Sequence, residues 1–472
     1  MTNPRMHPMG TYNFSNAPER TIHGLNSVLE TKIVCALETS DSTQVRELLK
    51  FIHYSDVADL LERLDKFHRL ALLEVIGSNF DSKLLSELDD SVLGHVVEFL
   101  GVDLTVSAFS QLESDDAVEV IEKLKEDQRE QLLSAIPEKD RLLIKSSLSY
   151  PKHSAGRLMQ RKLVIMPELW TIGDALDYLR READVEDNLL PEQFHVVYVV
   201  DSSHRPIGDI SLDKLLRNQR PILLADIMNK QPKTVPIVTD QEDVARVFRQ
   251  MNLVAAPVID GEGRLVGEIT IDDVVDVIDQ EHEEDILHLG GVREVDLYDA
   301  AVSTMKARFS WLFINLITAF TASVVIGFFN ATIEEMVALA ILMPVVASMG
   351  GNAGTQTLTV AVRAIAMKEL TATNTNRIIG KEFLVGGFNG VLFAFISGLI
   401  AWQWFDNLTL GGVIGVSMIV NMVVAGFAGT VIPIALDRFG ADPAVASSIV
   451  LTTITDVVGF FFFLSLGAIF LL

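Results

Sequence analysis

The end of the chain most constrains its fold. Residues 443–472 form a nearly unbroken apolar run that holds one ionisable side chain, Asp456. The run exceeds the ~20 residues that cross a bilayer as a helix. A carboxylate in such a helix costs about 2.5–3.5 kcal/mol on insertion scales, so it normally faces a bundle interior or a water-filled path. Asp456 is therefore either a buried, protonated helix–helix contact or a cation site in a pore.

Four further apolar segments precede this run. The predicted spans are 309–329, 336–362, 383–402, 412–436 and 443–472. The nearby basic residues all lie on one side of this arrangement: Lys306, Arg308, Arg363, Lys368, Arg377, Lys381 and Arg438. Because cytoplasmic loops carry the excess of Lys and Arg, the N-terminal two thirds is predicted to be cytosolic and the C-terminus external.

The part before the spans is strongly acidic. Five basic and eight acidic residues follow residue 308, which leaves 33 basic and 55 acidic residues before it, or −22 of the total charge of −25. This charge argues against nucleic-acid binding and is compatible with multivalent cations. Cys35 is the single cysteine, so no intramolecular disulfide is possible.

Residues 21–150 carry apolar side chains at helical spacing, after a lead-in of residues 1–20 that we expect to be disordered. The segment 57–64 is echoed at 117–124, and the same offset relates Arg69 to Arg129. A shorter echo occurs at 96–100. Repeated short helices stack into a superhelix. An ordinary helical bundle is the alternative.

Residues 151–285 change to short β-branched runs, turns and helices. The segment 197–211 matches 256–270 at one offset, with Gly208 equivalent to Gly267 and Asp213 to Asp272. Upstream, Met159 corresponds to Met228. Each copy is predicted to be a strand, a polar turn, a second strand and a helix.

An acidic stretch closes this region. It comprises Asp272, Asp273, Asp276, Asp279, Glu281, Glu283, Glu284 and Asp285. Like charges one helical turn apart destabilise a helix, whereas Mg²⁺ and Ca²⁺ bind carboxylate oxygens. The stretch is either a cation sensor or a solvated face. Residues 286–308 are predicted to form a connecting segment, with a helix after a break at Gly290-Gly291.

The second predicted span contains an unusual polar segment, 344–356. Pro344 and the pair Gly350-Gly351 are expected to loosen the helix, and Asn352 adds an oxygen ligand. The alternative is a helix-packing motif of small residues.

The duplicated unit resembles a tandem CBS pair. Such pairs often bind adenine nucleotides, and their Ser/Thr-x-x-Asp motif usually holds the ribose. The second copy retains this motif as Thr270 and Asp273, whereas the first has Ser211 followed by Lys214 in place of the Asp. The resemblance implies one nucleotide site, for ATP or another adenine nucleotide.

Segment 344–356 resembles the Pro-x5-Gly-Gly-Asn-x-Gly-x-Gln signature of the MgtE magnesium channel/transporter family. The domain order is similar over about 20–472. The resemblance implies a multidomain membrane protein with an all-α superhelical N domain, an α+β tandem CBS pair and a five-helix transmembrane domain. It also implies a homodimer, with spans two and five lining a pore on its two-fold axis and residues 286–308 as a plug.

The resemblance also assigns residues. The pore metal positions would be Asp456, Thr452, Gly351 and Asn352. The regulatory Mg²⁺ positions would be Asp115, Asp116, Asp240, Asp273, Asp276, Glu281, Glu284, Asp285 and Asp442. We therefore expect a non-enzymatic protein of the bacterial cytoplasmic membrane that conducts Mg²⁺ into the cytosol and is gated by cytosolic Mg²⁺.

Two alternatives remain. A secondary transporter of Co²⁺ or Mn²⁺ is possible, although no Cys, His or Met lies beside Asp456 in the sequence to favour softer metals. An intramembrane aspartyl protease would need a second mid-span Asp, which the predicted spans lack.

Overall fold

A computed structural model describes residues 25–183, 190–191, 193–292, 301–371 and 373–471. The predicted lead-in lies outside these residues. The chain divides into two units, Met1–Ile278 and Asp279–Leu472. Each unit is described by itself below.

The first unit begins with helices around one apolar core. They are α1 (Ser27–Glu38), α2 (Ser42–Leu49), α3 (Tyr54–Arg63), α4 (Lys66–Ile76), a 3₁₀ turn (Gly77–Asn79), α5 (Leu84–Glu87), α6 (Asp90–Phe109), α7 (Ser114–Lys123), α8 (Glu126–Ala135) and α9 (Glu138–Leu148). The predicted all-helical character of this region is confirmed. Helix α6 is bent at Gly101, whose φ of 71° is left-handed and suits a residue without a Cβ.

An internal repeat is visible in the hydrogen bonds of two arginines. Arg69 donates to the carbonyls of Leu61, Glu62 and Leu64, which end α3. Arg129 makes the same three bonds to residues 121, 122 and 124, which end α7. Each arginine thus satisfies helix-end carbonyls that have no partner within the helix. The predicted repeat is confirmed at the level of side-chain contacts.

The next region contains two three-stranded sheets. Its elements are α10 (Ala155–Leu158), β1 (Ile165–Pro167), α11 (Ile172–Ala183), β2 (Val196–Val200), β3 (Pro206–Ser211), α12 (Leu212–Arg217), α13 (Leu224–Ile227), β4 (Val235–Pro236), α14 (Gln241–Met251), β5 (Ala255–Ile259), β6 (Leu265–Thr270) and α15 (Ile271–Leu289). The strand orders are β1-β2-β3 and β4-β5-β6, each with one parallel and one antiparallel pair. The predicted duplication is confirmed.

The two copies also exchange contacts crosswise. Gln160, before the first sheet, pairs with Glu268 of the second, and Asn229 pairs with Asp209 of the first. A Cβ at Gly267 would lie 2.7 Å from the Met159 sulfur, and one at Gly208 would lie 2.5 Å from that of Met228. Both glycines are required because a methionine packs directly on the strand.

The second unit contains the long apolar helices. They are α16 (Ala301–Gly327), the short α17 (Asn330–Glu335), α18 (Val337–Ala366), α19 (Thr375–Phe405), α20 (Leu408–Arg438) and α21 (Pro443–Phe470). Helix α15 ends at Leu289, at the predicted Gly290-Gly291 break, and α16 (Ala301–Gly327) runs unbroken into the first apolar segment. The stretch 293–300 lies outside the described residues.

The count of apolar helices corrects the sequence prediction. Among the described residues six helices, rather than five, are long and apolar enough to cross a membrane. The additional helix is α6, which periodicity alone assigned to the N-terminal stack. Its residues Val92, Leu93 and Val96 are buried in the core of the first unit. Its high hydropathy therefore has a packing explanation.

The predicted loosening of the second span is wrong. Helix α18 runs continuously from Val337 to Ala366 with Pro344 inside it. A Cβ on Gly354 would lie 2.9 Å from the side chain of Leu451 on α21, whereas one on Gly351 would meet nothing within 4 Å. The sequence did not reveal which glycines face a neighbour. Gly354 therefore fits the alternative interpretation of this segment as a helix-packing motif, since small residues let membrane helices approach closely.

Candidate functional site

Helix α21 carries the candidate pore acid at the edge of its buried face. Leu451 and Thr455 are fully buried, and Gly459 continues that face one turn later. Asp456 lies next to this face and is half-buried. Among the described residues it has no hydrogen-bond or ion-pair partner. A carboxylate on a membrane helix that lacks a partner among the described residues favours contact with water, a cation or another chain.

Three helices meet one turn beyond Asp456. Asn421 of α20 is fully buried, and its Nδ2 donates to the Val346 carbonyl of α18 at 2.8 Å. A Cβ on Gly350 of α18 would lie 2.2 Å from that nitrogen, and one on Gly459 of α21 would lie 2.8 Å from it. This contact fixes α18 and α21 against α20. Asn421 falls within the predicted span 412–436, but the sequence does not reveal that three helices meet at this residue.

The other predicted pore residues lie near Asp456 in sequence or on the adjacent helix. The Thr452 hydroxyl donates to the carbonyl of Ser448 at 3.0 Å, so its oxygen retains accepting capacity. Asn352 on α18 is exposed, and its Nδ2 lies 3.5 Å from the Ser348 hydroxyl. Helices α18 and α21 pack together, but no hydrogen bond among the described residues joins Asn352 to Asp456.

Helix α18 also exposes a polar stripe. Its members recur at three- and four-residue spacing: Ser348, Asn352, Thr355, Gln356 and Thr359. Exposing an amide side chain to lipid on a membrane helix costs free energy, so such groups normally face protein or water. A cavity of about 290 Å³ adjoins part of this stripe, between α18, α19 and α20. Glu382 and Asn389 share it with Asn352 and Gln356.

The first unit brings several predicted regulatory acids together. Asp115, at the start of α7, lies close to Asp273 of α15, and the two carboxyl groups influence each other's ionisation. Asp115 is 8% exposed, and its Oδ1 has no hydrogen-bond partner among the described residues. Burial and the nearby Asp273 raise the pKa of Asp115 well above its usual range. We call Glu87, Glu113, Asp115, Asp116, Glu268, Asp273 and Asp276 the interface acids.

Burial and repulsion between carboxylates raise the pKa of several interface acids. Burial, with Glu119 and Asp273 nearby, raises the pKa of Asp116 to about 7. Burial raises the pKa of Asp273 to about 7, opposed by the Thr270 hydroxyl that donates to it at 2.7 Å. Burial likewise raises the pKa of Glu268 to about 7. Asp115, Asp116, Glu268 and Asp273 are therefore stabilised by protons or by a cation when the first unit is assembled as seen here.

The interface acids suit a hard cation in their chemistry. Carboxylate oxygens are the ligands that Mg²⁺ and Ca²⁺ take, and the unpartnered Asp115 oxygen is available to one. In the described part of the chain, however, no group of three or more His, Cys, Asp or Glu has the geometry to hold a metal ion. Binding there would thus use few protein oxygens and several waters, as Mg²⁺ commonly does.

The remaining regulatory candidates lie elsewhere. Asp240 accepts from the Glu242 amide at 3.0 Å and caps α14. In the second unit, Asp285 lies close to Asp442 and Glu284, and burial with the Asp442 charge raises the pKa of Asp285. Glu281 lies on α15 before this second group. The predicted regulatory acids therefore fall into one group in the first unit, a second group around Asp285 and Asp442 in the second unit, and Asp240 as a helix N-cap.

The candidate nucleotide pair has a structural role. The Thr270 amide and hydroxyl both donate to Asp273, at 3.4 and 2.7 Å, across the first turn of α15. This arrangement is a helix-capping interaction. Because Asp273 also contacts Asp115, its carboxylate is not open to a ribose in this conformation.

Comparisons with known proteins cover each part of the chain. Family profiles match residues 343–466 (MgtE, divalent cation transporter), 52–153 (MgtE intracellular N domain) and 155–220 and 224–280 (CBS domain). The magnesium transporter MgtE of Thermus thermophilus is 32% identical over 443 residues, which cover 92% of this chain and 97% of that protein. The Bacillus subtilis magnesium transporter MgtE is 26% identical over 93% of this chain and 97% of its own length.

Solved structures give a narrower match. The cytosolic domain of the Mg²⁺ channel MgtE in complex with ATP is 30% identical, with a TM-score of 0.48, and covers 52% of this chain and 99% of its own. The MgtE of Enterococcus faecalis is 34% identical over 70% of this chain and 71% of that protein. The 32% identity to the Thermus thermophilus protein, over 92% of this chain, shows that the chain belongs to the MgtE family of magnesium transporters.

Proposed function

We propose that this protein is a Mg²⁺ channel of the bacterial cytoplasmic membrane, admitting Mg²⁺ to the cytosol through a pore that contains Asp456. The observation that carries this proposal is the half-buried Asp456 carboxylate, which has no partner among the described residues. Mg²⁺ sheds water reluctantly and is usually held by one or two carboxylates, so one Asp from each of two chains suits a hydrated ion.

The proposed assembly is a homodimer. Asp456 and the polar stripe of α18 both lie at surfaces that a single chain leaves exposed or half-exposed. A second copy, related by a two-fold axis, would cover both surfaces and enclose a polar path. In this assembly α18 and α21 line the pore, and Thr452 and Asn352 contribute oxygens near Asp456. Gly351 lies on the same helix as Asn352, but its carbonyl accepts from the Thr355 hydroxyl within the continuous α18.

The proposed topology has five spans, with the N-terminus cytosolic and the C-terminus external. The spans are α16, α18, α19, α20 and α21, because α6 is packed within the N-terminal core. The basic residues between α18 and α19 and after α20 support this orientation. The proposed domains are N domain 21–150, CBS pair 151–285, connecting segment 286–308 and transmembrane domain 309–472.

The proposed regulator is cytosolic Mg²⁺. The interface acids in the first unit, and Glu281, Glu284, Asp285 and Asp442 in the second, would hold it, with Asp240 as an outlying candidate. Neutralising these carboxylates would favour the docked arrangement over a loosened one, which is a ligand-biased equilibrium between two states.

An adenine nucleotide is a second proposed ligand. The related MgtE cytosolic domain was solved in complex with ATP, and the CBS pair here retains Thr270 and Asp273. Since Asp273 is engaged by Asp115, nucleotide binding at this position would require the interface acids to separate. Binding of a fluorescent ATP analogue to the full chain should weaken in Asp273→Asn. Unchanged binding would remove this position from consideration.

The transport proposal is tested by Mg²⁺ uptake into proteoliposomes. Uptake by the wild-type chain should proceed without a proton gradient, and an uncoupler should not abolish it. Strict dependence on such a gradient, or a preference for Co²⁺ or Mn²⁺ over Mg²⁺, would instead support a secondary transporter of another divalent cation.

A further inference from the structure

The cavity between α18, α19 and α20 is lined by both polar and apolar side chains. Its wall on α19 is formed by residues at three- and four-residue spacing, which share one face of that helix: Glu382, Val385, Asn389 and Phe393. Gln356 lines the opposite wall on α18. The cavity, of about 290 Å³, therefore presents a carboxylate and amides inside the membrane-spanning unit.

Glycine contacts hold this cavity open. A Cβ on Gly386 of α19 would lie 2.6 Å from the Met422 carbonyl of α20, and one on Gly429 of α20 would lie 2.8 Å from the Gly354 carbonyl of α18. Small residues of this kind let membrane helices approach closely. Helices α18 and α19 thus both pack tightly on α20, and the cavity occupies the space that remains between them.

Glu382 has only weak partners for a carboxylate in such a place. Its side chain is 13% exposed, and the Thr357 hydroxyl donates to Oε2 at 3.4 Å. Lys381 Nζ lies 3.4 Å from Oε1, but the Lys381 side chain is 68% exposed. Both contacts are longer than a strong hydrogen bond of ~2.7–3.0 Å, and an exposed ion pair contributes little. The Glu382 oxygens can therefore accept from a cationic donor within the cavity.

The chemistry of the cavity changes along its length. Lys381 borders one end, and Arg363 lies seven residues after Gln356 and so on the same face of α18 towards that end. Asn389 is seven residues beyond Glu382, which places it about 10 Å further along the helix axis. Phe393 follows one turn later. The order is a basic rim with one carboxylate, then amides, then an apolar end.

This order matches the parts of a phospholipid. Basic side chains between membrane helices bind lipid head groups, amide N–H groups donate to ester carbonyls, and an apolar wall suits an acyl chain. Glu382 distinguishes among phospholipids, because a carboxylate repels an anionic head group and forms a charge-assisted hydrogen bond with an ammonium group.

We propose that the cavity binds an aminophospholipid such as phosphatidylethanolamine, with its ammonium group on Glu382 and its phosphate at Lys381 and Arg363. The proposed topology places this end of α19 at the cytosolic leaflet. A lipid held between α18 and α19 would restrict the movement of α18, which carries Asn352. If the proposed transport function holds, Mg²⁺ uptake should therefore depend on the aminophospholipid content of the membrane.

Lipid binding is tested by native mass spectrometry of the full chain in detergent. The protein is offered equal amounts of phosphatidylethanolamine and phosphatidylglycerol with the same acyl chains. Wild type should prefer phosphatidylethanolamine by about ten-fold, and Glu382→Gln, which keeps the side-chain shape, should lose the preference. Glu369→Gln, in the exposed loop between α18 and α19, is the matched control and should keep it. No preference in wild type, or an equal preference in Glu382→Gln, would overturn the site.

A second pair of variants tests the position of the lipid by filling the cavity. Val385→Trp should exclude the lipid, whereas Leu384→Trp, at a neighbouring exposed position that does not line the cavity, should not. Unchanged binding in Val385→Trp would overturn the assignment to this cavity. A loss of dimer in Val385→Trp, with lipid binding retained, would instead assign the cavity to a second copy of the chain and overturn the proposal.

Uptake measurements separate the lipid site from the transport proposal. Mg²⁺ uptake by wild type should be faster in phosphatidylethanolamine-containing vesicles than in phosphatidylglycerol alone, and Glu382→Gln should not distinguish the two. Equal wild-type uptake in both would overturn the link to α18. Asp456→Asn should retain the lipid preference, so full uptake by this variant would count against the pore assignment and leave the lipid site standing.

Discussion

Removing one charge from the interface acids should strengthen the first unit when Mg²⁺ is absent. Asp116 is the best position because its pKa is raised from 3.8 to about 7 and it lies outside the close pair formed by Asp115 and Asp273. The acids that face it are Glu87 on α5, Glu113 and Glu119 around α7, and Asp273 on α15. Asp116→Asn keeps the shape of the side chain and removes its charge.

The sign of the pH effect follows from proton uptake. Between about pH 4 and pH 7 the folded chain holds a proton on Asp116 that the unfolded chain has released, so stability falls as pH rises through this window. A shift of about three pH units corresponds to ~4 kcal/mol, and since neighbouring acids share the same repulsion we expect ~2 kcal/mol from Asp116 alone.

The assay is hydrogen exchange of the full chain in detergent, read in peptides from α7 and the start of α15. At about pH 8 without Mg²⁺, ~2 kcal/mol corresponds to about thirty-fold greater protection in Asp116→Asn than in wild type. Millimolar Mg²⁺ should raise protection in wild type and have a smaller effect in the variant. The difference between the two proteins should shrink as the pH is lowered below 7 and vanish only near about pH 4, where the Asp116 carboxyl is protonated in both the closed and the open chain.

The internal repeat supplies the control for this experiment. Asp56 lies in the first turn of α3, the helix equivalent to α7, and is not one of the interface acids. Asp56→Asn should therefore leave protection of α7 and α15 unchanged throughout this pH range. Equal behaviour of Asp116→Asn and Asp56→Asn, or no Mg²⁺ effect in wild type, would refute the reasoning.

Three further predictions concern stability and regulation. Gly386→Ala would place a Cβ 2.6 Å from the Met422 carbonyl, which should push α19 away from α20 and lower the free energy of unfolding by about 1–3 kcal/mol. Gly412→Ala is the control, because a Cβ there would meet nothing within 4 Å, and it should leave thermal unfolding unchanged. Arg69→Met should cost about 1–3 kcal/mol, because buried helix-end carbonyls lose their donor; a change under ~0.5 kcal/mol in denaturant unfolding would contradict this. Asp240→Ala should lower the free energy of unfolding by about 1 kcal/mol, because α14 loses its N-cap, and it should leave the Mg²⁺-dependent protection of α7 from hydrogen exchange unchanged. Loss of that Mg²⁺ response would instead indicate that Asp240 is a Mg²⁺ ligand.

Repetition made much of the fold predictable. The offsets of 59 and 60 residues place Gly208 with Gly267 and Arg69 with Arg129, and the structure gives each pair the same contacts. The apolar segments were likewise visible because a membrane span requires a long run of one kind of residue. Hydropathy alone also identifies α6 as a membrane-spanning candidate. Helix α6 is instead packed in the core of the N-terminal helical region.

Contacts between distant segments were not predictable. Nothing in the sequence pairs Asp115 with Asp273, because that contact depends on how the helical region docks on the CBS pair. The same holds for His288 and Asp442, which are separated by 154 residues. Gly351 and Gly354 look equivalent in the sequence, and only the helix rotation shows that Gly354 faces Leu451.

The central claim is that Mg²⁺ passes the Asp456 carboxylate. The most direct measurement is Mg²⁺ uptake into proteoliposomes by Asp456→Asn, with Asp406→Asn, after α19, as the matched control outside the spans. We expect uptake by Asp456→Asn to fall about ten-fold or more, since the pore would lose the one charge that attracts a hydrated Mg²⁺, and the control to retain wild-type uptake. Wild-type uptake by a correctly folded Asp456→Asn protein would contradict the claim.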